Sequence, residues 1–202
     1  MRNIDQALDD ISSIRSQVAA GTLFRGFGPT VMAVTGLLAV MTGGAQSLWP
    51  QTLAAGPMSF YGCWFVTALV AGGLIGAEMS ARSRRHHGGL ADAMIWNAVE
   101  QFLPALVAGI ALAGVLLKFS PAQSWMLPGL WQMLVALGLF ASARSLPRTI
   151  MLVAAWYFLA GVTGLVLGSF NQDLSPWLMA VPFAAGQGLM AAVLYFACGE
   201  EP

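Results

Sequence analysis

A chain of 202 residues that is 57% hydrophobic and only 9% charged cannot assemble a hydrophilic exterior, because soluble domains carry charge on about a quarter of their residues. Nine Lys and Arg balance nine Asp and Glu, so no excess of positive charge points to nucleic acid, and the placement of charge matters more than its sum. Eight of the nine basic residues fall in three places: Arg2, Arg15 and Arg25; Arg82, Arg84 and Arg85; and Arg144 and Arg148. Long apolar runs separate these clusters, the pattern of a chain that crosses a bilayer repeatedly with its basic loops on the cytoplasmic side. The fold class expected is all-α: a polytopic membrane protein with six transmembrane helices and a short N-terminal amphipathic helix.

The opening, MRNIDQALDDISSIRSQVAA, holds three acids and no continuous apolar core, and so does not read as a signal peptide. Ile4, Leu8, Ile11, Ile14 and Val18 recur at three or four residues, predicting a helix with one apolar stripe that Asn3 can cap and Gly21 can end. Its acidic bias argues against simple adhesion to anionic lipid. It is expected to lie against the cytoplasmic ends of the bundle or in the lipid interface, or to dock another protein. Phe24 to Pro29 forms a junction, and residues 1–28 are read as one cytoplasmic unit, 29–198 as the bundle and 199–202 as a cytoplasmic tail.

A hydrocarbon layer about 30 Å thick needs roughly 20 helical residues, and helices are the open-ended element that satisfies every backbone group in lipid. The runs that qualify, in chain order, are Pro29 to Trp49, Phe60 to Met79, Ala93 to Leu117, Trp125 to Ala143, Thr149 to Phe170 and Pro176 to Cys198. An even number of crossings puts both termini on one side with the basic loops, leaving Lys118 alone opposite. Trp49, Trp125 and Trp177 then fall at the outer ends of their helices, as an aromatic belt would. The localisation implied is a bacterial-type inner membrane with both termini cytoplasmic. Cys63 and Cys198 fall on opposite sides of the bilayer, which argues against a disulfide.

Ala33-Val34-Thr35-Gly36-Leu37-Leu38 reads like Gly161-Val162-Thr163-Gly164-Leu165-Val166, with Ala111 to Leu116 a looser copy. The chain is therefore compatible with a hairpin repeated three times. Gly72 with Gly76, Gly164 with Gly168, and Ala105, Gly109 and Ala113 lie at four-residue spacing, where helices of one chain or of neighbouring protomers can approach closely.

Polar residues inside the apolar runs are the candidate site. Glu100 is expected about 12 Å into the membrane if its helix enters near residue 92, where an exposed carboxylate is costly and should face the protein interior. Trp96 lies one turn before it and Asn97 three residues before it, while Gln101 adjoins it. Pro104 removes the usual helical donor to the Glu100 carbonyl. Gln132 and Gln187 can reach in from the fourth and sixth helices. Glu100, Asn97, Gln101, Trp96, Gln132 and Gln187 thus read as a substrate or proton path, with a buried hydrogen-bond knot as the competing role. Asp92, Glu78, Arg82, Arg84, Arg85, His86 and His87 read as interfacial. Glu78 and Arg82 suit an ion pair one turn apart. The adjacent histidines lack a third ligand, so no metal is expected.

No HExxH, GxSxG or phosphate-loop motif occurs, and an enzyme is the less favoured reading, with no catalytic residue and no cofactor marked. The function expected is a channel or secondary transporter for a small solute, proton-coupled if Glu100 carries the proton. The alternative is a membrane sensor or regulatory partner protein acting through its N-terminal helix. The partners implied are the lipid bilayer, a small-molecule ligand, and either a second copy of the chain or a cytoplasmic protein bound through residues 1–20.

Overall fold

Prolines set the helix starts. Pro29 and Pro57 stand at first helical positions, where a missing N–H costs nothing and φ is already helical. In the computed structural model the backbone is described for residues 28–85, 89–142 and 149–199, and the side chains for those residues outside 82–98 and 197–199. The helices are α1 (Pro29–Leu48), α2 (Pro57–Arg85), α3 (Gly89–Phe119), α4 (Leu127–Ser142), α5 (Ile150–Asn171) and α6 (Trp177–Gly199). A one-turn helix, Pro50–Leu53, follows α1, and a 3₁₀ segment, Pro121–Met126, leads directly into α4. Six stretches are long and apolar enough to cross a bilayer, the fourth formed by the 3₁₀ segment and α4 together. The chain is an all-α, polytopic membrane protein. The N-terminal helix expected over residues 1–20 lies outside the described residues, as do His86, His87, Arg144 and Arg148.

The helices pack antiparallel to their chain neighbours. The most extensive contacts join α4 to α5 and α1 to α6, with α3 against α4 next, and α2 meets α3 only slightly. Glycine controls the two closest pairs. A Cβ on Gly161 would lie 2.6 Å from Met133 Cγ and 2.7 Å from the Gly129 carbonyl, and one on Gly43 would lie 2.5 Å from Ala180 Cβ. Such faces let backbones approach and gain dispersion contacts that lipid tails would otherwise supply. Gly36 and Gly164, matched in the sequence repeat, both lie at such crossings, against Gln187 and Gly129 respectively, whereas Gly114 of the third copy meets nothing within 4 Å.

Enclosure is uneven. Only 6% of Val99–Phe119 is buried, against 39% of Pro121–Ser142, so α3 is a peripheral helix and α4 a central one. Trp49 and Trp177 stand 59% and 46% exposed at the end of the bundle away from the arginine-bearing loops. Tyr195 and Phe196 are exposed near the opposite end of α6. Trp125 departs from the expected belt. Gly168 leaves a slot on α5 into which its ring packs, and its indole N–H is buried.

The core divides in two along the membrane normal. Toward the arginine-bearing side, Met32, Ile150, Val153, Tyr157, Met190 and Leu194 pack with Ala136. Toward the far side, Phe60, Tyr61, Trp64, Leu127, Met179 and Ala180 pack with Ala39. Phe183 touches both clusters.

Candidate functional site

Between the two apolar clusters lies a polar layer. On α1 it contains Thr35 and Gly36, on α4 Gln132, and on α6 the stretch Pro182 to Gln187. Gln132 is completely enclosed, and its Nε2 donates to the Leu178 carbonyl at 2.7 Å. Pro182 explains why that carbonyl is open to it. Leu178 lies four residues earlier, and proline has no N–H to return to it. α5 serves the next carbonyls of the same helix. Trp156 Nε1 donates to Pro182 O at 3.0 Å, and the Tyr157 hydroxyl donates more weakly to Phe183 O at 3.5 Å. The Tyr157 ring lies against Gly186, the residue before Gln187. Thr35 turns its hydroxyl back to Met32 O at 2.8 Å.

Side-chain donors also reach main-chain carbonyls nearer the far side. Tyr61 donates to the Ser124 carbonyl at 2.6 Å, four residues before Pro128. Gln46 donates to Leu53 O at 3.1 Å, four residues before Pro57, and to Phe60 O at 2.9 Å. Its own oxygen accepts Trp64 Nε1 at 2.9 Å. Gln46 is therefore fully used, joining the end of α1, the following turn and the start of α2. Trp131 closes the set by donating to Gly109 O on α3 at 3.0 Å, which the absent glycine side chain leaves accessible. Of these carbonyls, Leu178 O is the one whose helical donor a proline removes: Ser124 O also accepts the Leu127 N–H, and Leu53 ends its own short helix before the bend at 54–56. In lipid no water would satisfy the Leu178 carbonyl.

Gln132 Oε1 and Gln187 Oε1 in the polar layer, and Trp125 Nε1 in its slot beside Gly168, are buried and meet no hydrogen-bond partner among the described residues. An orphaned buried polar atom costs about 1–3 kcal/mol, so a donor beside either amide oxygen, or an acceptor beside the indole, would be favourable. Gln132 reaches α6 at Leu178, nine residues before Gln187, so the two spare acceptors stand at successive levels along α6.

Glu100 is placed elsewhere. Its side chain is on the exposed face of α3, not turned inward as the sequence suggested, and depth supplies the reason. α3 extends to Phe119 and carries Lys118 in its last turn. Eighteen residues from Lys118 to Glu100 span about 27 Å, close to the full hydrocarbon thickness of about 30 Å. The packing of α4 agrees. Gly138 abuts Phe102 and Ala105, so Glu100 is level with the end of α4 at Ser142, just before Arg144. A carboxylate at that height reaches the headgroups, and the helix entry expected near residue 92 lies too far out.

Gln101, beside it, is half-buried and engaged by a neighbouring group, as is Glu78 near the end of α2. The side chains of Asp92, Trp96, Asn97, Arg82, Arg84 and Arg85 lie outside those described. Among the described residues no group of His, Cys, Asp and Glu is arranged to hold a metal ion. Cys63 is a free thiol directed at Leu53 O.

Gln46 and Pro182 were the signals that reading the apolar runs alone passed over. Gln132 in one apolar run, paired with Pro182 in another, marks a carbonyl needing a donor.

No family model, curated protein or solved structure matches this chain. The functional reading rests on the polar layer itself.

Proposed function

We propose that the protein is a channel or secondary carrier for a small solute, in a bacterial-type inner membrane with both termini cytoplasmic, and that the solute passes the layer holding Gln132 and Gln187. The observation carrying this reading is the pair of enclosed amide oxygens without donors, Gln132 Oε1 and Gln187 Oε1, on helices that contribute to both apolar clusters. A purely structural knot would be expected to satisfy its own acceptors, as Gln46 does. A proline-interrupted helix next to buried polar groups is also the arrangement in which membrane carriers place a midplane site. Proton coupling through Glu100 gains no support from its position on the exposed face of α3. The test is flux. Purified protein in proteoliposomes should move small solutes faster than protein-free vesicles of the same lipid, and equal rates across a panel of small neutral and charged solutes would end the proposal.

A second reading, a sensor or regulatory partner, is favoured by the low enclosure of α3 and its slight contact with α2. On that reading deletion of residues 1–20 abolishes co-purification of a partner while the bundle stays folded. Retained co-purification would exclude docking through that segment.

A further inference from the structure

We infer that the second half of α2, from Gly73 to Arg85, is a hinged flap that swings away from the bundle about Gly72 and Gly73 and uncovers the apolar cluster on the arginine-bearing side. The flap is a moving part of the fold and does not depend on what crosses the polar layer.

α2 is fastened at one end. Near its start, Phe60, Tyr61 and Trp64 are buried in the far-side cluster. Gln46 of α1 donates to Phe60 O and accepts the Trp64 indole N–H. Tyr61 donates to Ser124 O ahead of α4, and Thr42 of α1 shares a 2.7 Å hydrogen bond with Thr67. Past Thr67 the helix is more open, with Leu69 60%, Val70 46% and Leu74 40% exposed. Ile75 packs against the cluster on the arginine-bearing side, Met79 is buried, and Glu78 is engaged by a neighbouring group. These three residues fall within about one turn of helix, so the catch that holds the second half is short.

Glycine marks the junction between the two halves. A Cβ on Gly72, Gly73 or Gly76 would meet nothing within 4 Å, whereas one on Gly43 or Gly161 would strike a neighbouring helix. Close packing within the chain therefore does not account for the glycines of α2. What they supply is a weak stretch of helix, because glycine holds a helix interior less well than any residue but proline. Ser80 adds to the weakness by turning its hydroxyl to the Gly76 carbonyl at 2.8 Å, a back-bond that bends helices. Gly and Ser in company are a usual place for a kink.

α3 leaves room for the movement. It meets α2 only slightly. Its residues that pack on the far-side cluster are Leu112, Ala113, Leu116 and Leu117, near its outer end, and among the described residues none of α3 joins the cluster that Ile75 touches. An outward swing lifts Ile75 from that cluster and opens it to the lipid.

Spin-label distances in lipid nanodiscs test the flap, on protein carrying Cys63→Ser and Cys198→Ser. One pair, Ala81→Cys with Leu152→Cys, joins the arginine-bearing ends of α2 and α5. The other, Met58→Cys with Phe170→Cys, joins their opposite ends, and all of these positions are exposed. The first pair should give two distances or one broad distribution, and the second a single narrow one. Gly72→Ala with Gly73→Ala should narrow the first to the width of the second without lowering thermal stability, since alanine is the better helix former and has open space to enter. Ile75→Ala should shift the first pair toward its longer distance.

A first pair as narrow as the second in the protein with its glycines intact would overturn the flap. So would a breadth that the two alanines leave unchanged, which is fraying of a helix end and not a hinge. A label at Ala81 alone separates the other use of open glycines. A dipolar signal between copies, abolished by the alanines, would assign Gly72 and Gly73 to contact with a second chain and overturn the hinge.

Discussion

Gln46 makes three side-chain hydrogen bonds across the end of α1 and the start of α2. Its two polar ends hold the Leu53 and Phe60 carbonyls and the Trp64 indole together, within the apolar cluster of the far side. Gln46→Leu strands the indole N–H and removes the donor from Leu53, and is expected to destabilise the protein by about 2–3 kcal/mol. Gln51→Leu, on an exposed position, should change little. Unfolding titrations in mixed micelles measure both. Gln132 offers a sharper test because its partner exists only through Pro182. In wild type, Gln132→Leu removes the donor to Leu178 O. In a Pro182→Ala background the restored helical N–H supplies it. The cost of Gln132→Leu should therefore fall by about 1 kcal/mol in the double mutant, a coupling a double-mutant cycle can read. Equal costs in both backgrounds would show that the proline does not create the need.

At the scale of helices, close packing is decided by where glycine meets a backbone. Gly161 and Gly114 are both interior helical glycines of transmembrane segments, yet a Cβ on Gly161 would meet Met133 and the Gly129 carbonyl, while one on Gly114 would meet nothing. Gly161→Ala is expected to push α5 from α4 and cost about 1–3 kcal/mol. Gly114→Ala should be neutral or slightly stabilising through helix propensity. Thermal unfolding in detergent orders the pair, and a reversal of that order would contradict the α4–α5 contact. The repeated Thr-Gly-Leu pattern made Gly36 and Gly164 stand out in the sequence, and both lie at crossings. The same pattern singled out Gly114 rather than Gly161, because a repeat does not report the partner each glycine faces. α3 carries a related lesson. Its 31 residues exceed the thickness of the hydrocarbon layer, and counting from the polar start of the run set Glu100 too deep. Its height follows instead from Lys118 at one end and from the fit of Gly138 against Phe102.

For the whole molecule, the placement of arginine predicts sidedness. Lys118→Cys should react with a membrane-impermeant maleimide in intact cells, whereas Arg144→Cys should react only after permeabilisation. The opposite labelling would invert the topology. The bundle is asymmetric around its axis: α1, α4, α5 and α6 build the cluster toward the arginine-bearing side, α1, α2, α4 and α6 the far one, and α3 is largely on the outside. Six crossings, their order and their approximate limits were legible in composition and apolar run length, because the bilayer imposes one length scale on every helix. The polar candidates Gln132 and Gln187 were legible for a related reason, since an amide is rare enough in lipid to stand out. Their partners were not. Gln132 bonds a carbonyl 46 residues along the chain, and that pairing exists only once α4 and α6 are side by side. Solvent polarity acts on each residue separately and is therefore written along the chain. Hydrogen-bond matching, helix contact and the division between filled and unfilled acceptors depend on pairs of residues, and folding alone brings those pairs together.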